Sequence, residues 1–133
     1  MQTFLPYPDF SKSAACLDRL RLGKQRVECV QILNALRGAS RGWVNHPATR
    51  MWRGYEPALC NYTRMCIVEW VARGYKNTMP MQPLFENAEM PPWFGNPDFH
   101  ASHRSNLLRK DFEFYSKMGW TEPSTLAYIW PVA

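Results

Sequence analysis

Apolar residues recur along this chain at helical spacing, not in the alternating pattern of a half-buried strand. Between residues 21 and 36, Leu22, Cys29, Ile32, Leu33 and Leu36 project within about 100° of one another. Arg21, Lys24, Glu28 and Gln31 share a separate polar stripe about 80° wide. That segment predicts an amphipathic helix, stopped by Gly38. Residues 57–73 are apolar almost all round, through Leu59, Tyr62, Met65, Cys66, Ile67, Trp70 and Val71. This predicts the central buried helix, ended by Gly74. Prolines open the remaining helices: Pro47 after Asn45-His46 for a short one ending near Trp52, Pro57 after Glu56, and Pro97 after Asn96 for one reaching about residue 109. A short turn from Ser11 through Leu17 and a short helix over 111–117, closed by Gly119, complete the set.

The first eight residues, Met1-Gln2-Thr3-Phe4-Leu5-Pro6-Tyr7-Pro8, contain two prolines and predict an extended arm. Residues 77–97 hold five prolines and predict an irregular connection. The tail through Tyr128, Ile129, Trp130 and Pro131 is expected to pack back on the body. With no internal repeat, the expectation is an all-α fold: a single domain over residues 1–133, a compact helical bundle with an extended N-terminal arm and irregular proline-rich connections. A chain of 133 residues buries roughly two-thirds of its unfolded surface, and six Trp, six Tyr and seven Phe supply the core.

Charge adds a direction to this frame. Residues 1–53 carry nine Lys/Arg against three Asp/Glu, a net of +6, while residues 54–133 carry seven against eight, a net of −1. A basic N-terminal part on a neutral body is the footprint of a nucleic-acid ligand. No apolar run is long enough to cross a membrane and no charged-then-apolar leader opens the chain, so a soluble, cytoplasmic protein is expected. The four cysteines (Cys16, Cys29, Cys60, Cys66) have no C-x-x-C spacing and read as reduced packing residues.

Candidate chemistry centres on Glu28, one carboxylate among cations. The plain alternative is a solvated face with one i,i+4 pair, Lys24–Glu28. Arg26 falls nearer the apolar stripe, which leaves two readings: a partly buried arginine paired with an acid such as Asp18, or a phosphate contact. His46 precedes Pro47 and suits either a cap or the site, and Arg50 lies one turn on. His100 and His103 are three apart on a helix, but no Asp, Glu or Cys stands where it would complete a metal set, so no metal is assigned. His103, Arg104, Arg109 and Lys110 read as phosphate clamps, with ordinary surface charge as the alternative.

Several short motifs recur in a telling order: Leu17-Asp18, Glu28 on the first long helix, Asn45-His46-Pro47, and Glu69-Trp70-Val71-Ala72-Arg73-Gly74-Tyr75. They continue with His100-Ala101-Ser102-His103-Arg104, Leu107-Leu108-Arg109-Lys110 and Phe114-Tyr115. Over nearly the whole chain this series resembles the T4 endonuclease V-type pyrimidine-dimer DNA glycosylases. It is most similar to a bacterial and phage branch carrying the block Leu22-Gly23-Lys24-Gln25-Arg26-Val27-Glu28.

The resemblance implies a DNA repair glycosylase that cuts the glycosyl bond of a damaged pyrimidine and then nicks the strand by β-elimination, with no metal or organic cofactor. It implies a Schiff base formed by an N-terminal α-amine and assisted by a glutamate, here Glu28. At neutral pH roughly a tenth of an α-amine is unprotonated, against under about a thousandth of a lysine, so an amine nucleophile is chemically apt. Gln2 departs from the small second residue of the archetype, so methionine is expected to stay and the nucleophile becomes the Met1 amine, with Lys24 as the alternative. Double-stranded, damaged or modified DNA is the expected partner, contacted by Gln2, Arg21, Arg26, Gln31, His46, Arg50, His103, Arg104, Arg109 and Lys110. No palindrome-reading motif requires a dimer, so a monomer is expected. The competing readings are the same chemistry on another altered or phage-modified base, and a non-catalytic relative that binds distorted duplex.

Overall fold

The computed structural model describes residues 1–132. Asp9 opens the first helix, α1 (Phe10–Cys16), by accepting the Lys12 N–H, so the helix begins ahead of Ser11. The long helix α2 (Arg19–Leu36) starts two residues earlier than its apolar stripe predicts. His46 caps α3 (Pro47–Trp52) and Pro57 sits in the first turn of α4 (Glu56–Ala72). The Asn96 side chain accepts from the Asp98 and Phe99 amides to start α5 (Pro97–Lys110). Asp111 caps α6 (Phe112–Tyr115), which runs into a 3₁₀ turn, Ser116–Met118, closed by a left-handed Gly119. No strand occurs among the described residues, and none of their helices is long and apolar enough to cross a membrane.

Helix α4 packs against both α2 and α1. The approach to α2 is close because position 23 lacks a side chain: a Cβ there would lie 3.1 Å from Trp70 Cη2. Arg26 covers the same indole, its guanidinium 4.3 Å from the ring centroid. Leu22, Cys29, Ile32 and Leu33 join Trp52, Leu59, Tyr62, Cys66, Leu107 and Tyr115 in one buried cluster. Each such large apolar side chain stabilises the fold by about 1.5–3 kcal/mol. Helix α4 is not covered all round, however, since Val68 and Val71 near its end are about half exposed.

The arm is the unexpected part. Thr3, Phe4, Leu5 and Pro6 are buried at the centre of the molecule, with no strand beside them to pair their amides. Side chains supply the partners instead. Gln25 of α2 accepts the Phe4 N–H at 2.7 Å and donates to the Gln2 carbonyl at 3.1 Å. His103 Nδ1 accepts the Leu5 N–H at 2.9 Å, and His100 Nδ1 donates to the Leu5 carbonyl at 2.7 Å while its Nε2 accepts from Gly95. Tyr62 of α4 donates to the Phe4 carbonyl, Tyr128 of the tail to the Thr3 carbonyl at 2.6 Å, and Arg104 to the Pro6 carbonyl at 2.7 Å.

Two expectations follow. Gln25→Ala leaves a buried amide and carbonyl of the arm unpaired and should lower stability by about 2–4 kcal/mol in equilibrium urea unfolding; a loss under about 0.5 kcal/mol contradicts this account of the arm. Burial pushes the His103 imidazole well below its ordinary pKa, and it lowers His100 as well. The unfolded chain therefore takes up protons near pH 6.5 that the folded chain refuses, so stability is full above that pH and declines as pH falls below it. Urea midpoints should drop between pH 7.5 and pH 5, and a flat profile over that interval contradicts the assignment.

Candidate active site at the end of the arm

With its carbonyls and amides held, the arm delivers its first residues to the middle of α2. The Gln2 backbone N–H donates to Glu28 Oε2 at 3.3 Å, so the carboxylate stands one residue from the Met1 amine. The other Glu28 oxygen faces Lys24, with Nζ 3.9 Å away. The two side chains differ in setting: Glu28 is 16% exposed and Lys24 76%. Gln2 is turned by a further bond, its side-chain amide donating to Asn106 of α5 at 3.4 Å.

A cleft of about 280 Å³ opens beside this pair. Gln2, Lys24 and Glu28 line it, together with Leu20, Arg21 and Lys110 at the end of α5. Arg21 is aimed by a relay: Tyr115 donates its hydroxyl to Asp18, and Asp18 carries Arg21 on both carboxylate oxygens at 3.3 Å. Its other guanidinium nitrogen reaches the Lys110 carbonyl at 3.4 Å, which ties the end of α5 to α2. Three cations around a small cleft with one recessed carboxylate suit an anionic ligand that needs acid–base assistance at one point.

His46 borders the same region. Its Nδ1 accepts the Ala48 N–H at 3.0 Å, so the neutral ring carries its proton on Nε2. Burial lowers its pKa first, the Met1 ammonium pushes the same way and the Glu28 carboxylate opposes, so the ring senses both ends of the pair. Trp43 and Trp130 meet the imidazole edge-on, at centroid distances of 5.5 and 5.7 Å.

The other expected contacts divide. Gln31 is exposed on α2 one turn beyond Glu28, and Arg50 is exposed on α3. Arg109 is exposed and donates to the Ser124 and Leu126 carbonyls, pinning the tail. Two residues take roles unlike those expected, and Arg26 follows its buried reading with a different partner. His103 is fully buried, stacked on Tyr128 and committed to Leu5, so no phosphate reaches it in this fold. Arg104 binds Glu122 and the Pro6 carbonyl and braces the arm. Arg26 lies 7% exposed against Trp70, bonded to Asn77 Oδ1 at 2.6 Å; Asp18 serves Arg21 instead.

Sequence reasoning passed over Gln25 and Asn106, the two amides that set Gln2. The available signal for Gln25 was a polar residue inside the apolar stripe, between Ile32 and Leu36. Among the described residues, no three His, Cys, Asp or Glu side chains converge as a metal set.

Comparison with known families matches residues 1–83 to the family described as pyrimidine dimer DNA glycosylase. Neither the comparison with curated proteins nor that with solved structures returns a match. The matched span takes in the arm, α2, α3 and α4, and therefore Met1, Lys24, Glu28 and His46.

Proposed function

The chain belongs to the pyrimidine dimer DNA glycosylase family, and from that premise we propose that it couples base excision to strand scission through the Met1 amine and Glu28. One observation carries the reading: the 3.3 Å bond from the Gln2 N–H to Glu28, which holds a carboxylate one residue from an α-amine at the edge of a cationic cleft. In the proposed reaction the amine lone pair attacks C1′ of the deoxyribose, and the C1′–N bond breaks with its electrons leaving on the base. Loss of the amine protons and opening of the sugar ring give a C1′ imine. Glu28 then takes a proton from C2′, and the released electrons expel the 3′ phosphate, which nicks the strand. Hydrolysis of the imine frees the amine.

In this reading Arg21, Lys24 and Lys110 hold the backbone phosphates around the cleft, with Gln31, His46, Arg50 and Arg109 as flanking contacts and Gln2 at the sugar. The chain acts as one domain and as a monomer. A second nucleophile has a specific observation in its favour, since Lys24 Nζ lies 3.9 Å from Glu28 and opens onto the same cleft.

Borohydride trapping on a duplex with an abasic site or a cyclobutane dimer tests the reading. The adduct is expected on the Met1 peptide. An adduct on Lys24 moves the nucleophile, and binding with neither adduct nor nicking removes the lyase step. Glu28→Gln should bind the duplex and lose nicking by at least about a hundredfold; nicking at the parent rate would falsify the role of Glu28. Lys110→Ala should weaken binding on all sequences alike and reduce the slope of log K against log salt by about 0.9. A slope equal to the parent's takes Lys110 off the phosphate path.

A further inference from the structure

Trp43 is the only residue besides glycine with a positive φ among the described residues, at 68°. Gly38, Gly54, Gly74, Gly95 and Gly119 hold the other left-handed positions. A bulky side chain is sterically disfavoured there, and glycine stands next door at position 42. The surrounding turn nevertheless fixes the conformation. The His46 N–H donates to the Trp43 carbonyl at 3.1 Å, Arg53 donates to the Val44 carbonyl at 2.7 Å, and Gly42 donates to Ser40 Oγ at 3.2 Å. Backbone strain that a structure over-determines in this way collects at ligand contacts.

The strained turn presents a ring and does not bury it. The indole of Trp43 is 50% exposed, and its ring partner is His46, which also meets Trp130. In sequence around it, residues 37–53 carry Arg37, Arg41, Arg50 and Arg53 and no Asp or Glu; Arg37 is paired with Glu56 of α4, and Arg53 holds the Val44 carbonyl. An exposed aromatic face on a basic segment has the chemistry of a nucleobase platform: nearby cations such as Arg41 hold phosphates and the ring accepts a base on its π-face. His46 joins this platform to the Met1–Glu28 pair: its ring meets Trp43 edge-on and feels the charges of both groups.

We propose that Trp43 stacks on a nucleobase left without its partner at the lesion, and so sets the preference of this site for interrupted duplex over intact duplex. The proposal rests on the reading of the Met1–Glu28 cleft as a DNA lesion site.

The test uses the full chain and a duplex with a tetrahydrofuran abasic analogue opposite 2-aminopurine, beside an intact duplex of the same sequence. Trp43→Ala and Trp43→Gly should weaken binding to the interrupted duplex about tenfold and leave intact-duplex binding unchanged, with Trp43→Phe close to the parent. The parent should quench 2-aminopurine and the alanine variant should not. Trp43→Gly suits a positive φ, so its thermal midpoint should be no lower than the parent's, which a purely structural tryptophan would not allow. Full selectivity in the alanine variant, or a lowered midpoint in the glycine variant with selectivity intact, overturns the proposal. Borohydride trapping run in parallel on a duplex with a natural abasic site, which tetrahydrofuran cannot replace because it forms no imine, separates it from the reading beneath it. A parent that is not trapped, yet selects the interrupted duplex through Trp43, keeps the stacking role and overturns the Schiff-base mechanism. A parent that is trapped, with selectivity indifferent to Trp43, does the reverse. A parent with neither property overturns both.

Discussion

An extended segment buried without a neighbouring strand must find side-chain partners for its amides and carbonyls, and that constraint organises this molecule. Residues 2–6 run through the interior, and Gln25, Tyr62, His100, His103, Arg104 and Tyr128 supply the partners that a sheet would otherwise provide. These side chains come from α2, α4, α5 and the tail, so the helices are arranged around the arm as much as the arm is laid on them. An unmet buried amide costs about 1–3 kcal/mol, so slippage by one residue would forfeit several bonds together. The first residues of the chain are fixed as firmly as a core element, and the proposed chemistry draws on that fixity: a terminal amine is ordinarily among the least ordered groups in a protein.

Helix α2 serves two sides at once. Gly23 and Arg26 meet Trp70 of α4, whereas Lys24 and Glu28 face the cleft, with Gln25 between them holding the arm. The block from Leu22 to Glu28 is therefore a packing surface, an anchor and a candidate site superposed on two helical turns. Arg21 gains its direction from Asp18, and Asp18 from Tyr115, so the cationic rim of the cleft depends on α6 as well.

Much of the frame was legible beforehand because it is local. Prolines and asparagine at positions 47, 57, 96 and 97 mark helix starts by fixing φ or capping amides, and the glycines at 38, 74 and 119 mark stops for an equally short-range reason. The polar stripe of Lys24 and Glu28 could be read for the same cause. The place of Gln25 inside the apolar stripe marks it as inward-facing, but not its partners, which lie more than twenty positions away. His103 and Arg104 misled in a similar way: both look like surface cations on α5, and both turn inward to serve the arm. Val68 and Val71 show the opposite error, an apolar stretch that extends past the surface available to cover it.

The arm also sets the order in which the molecule can be completed. Thr3 is bonded to Tyr128, 125 positions later, and Leu5 to His103, 98 positions later. During synthesis the segment made first has no complete set of partners until almost the whole chain has emerged, while the α1–α4 and α2–α4 contacts can form well before. The helical frame can thus assemble early around an arm that is held only in part. Gln2 and Phe4 can meet Glu28 and Gln25 as soon as α2 exists, but the arm is secured only when His103 and Tyr128 arrive.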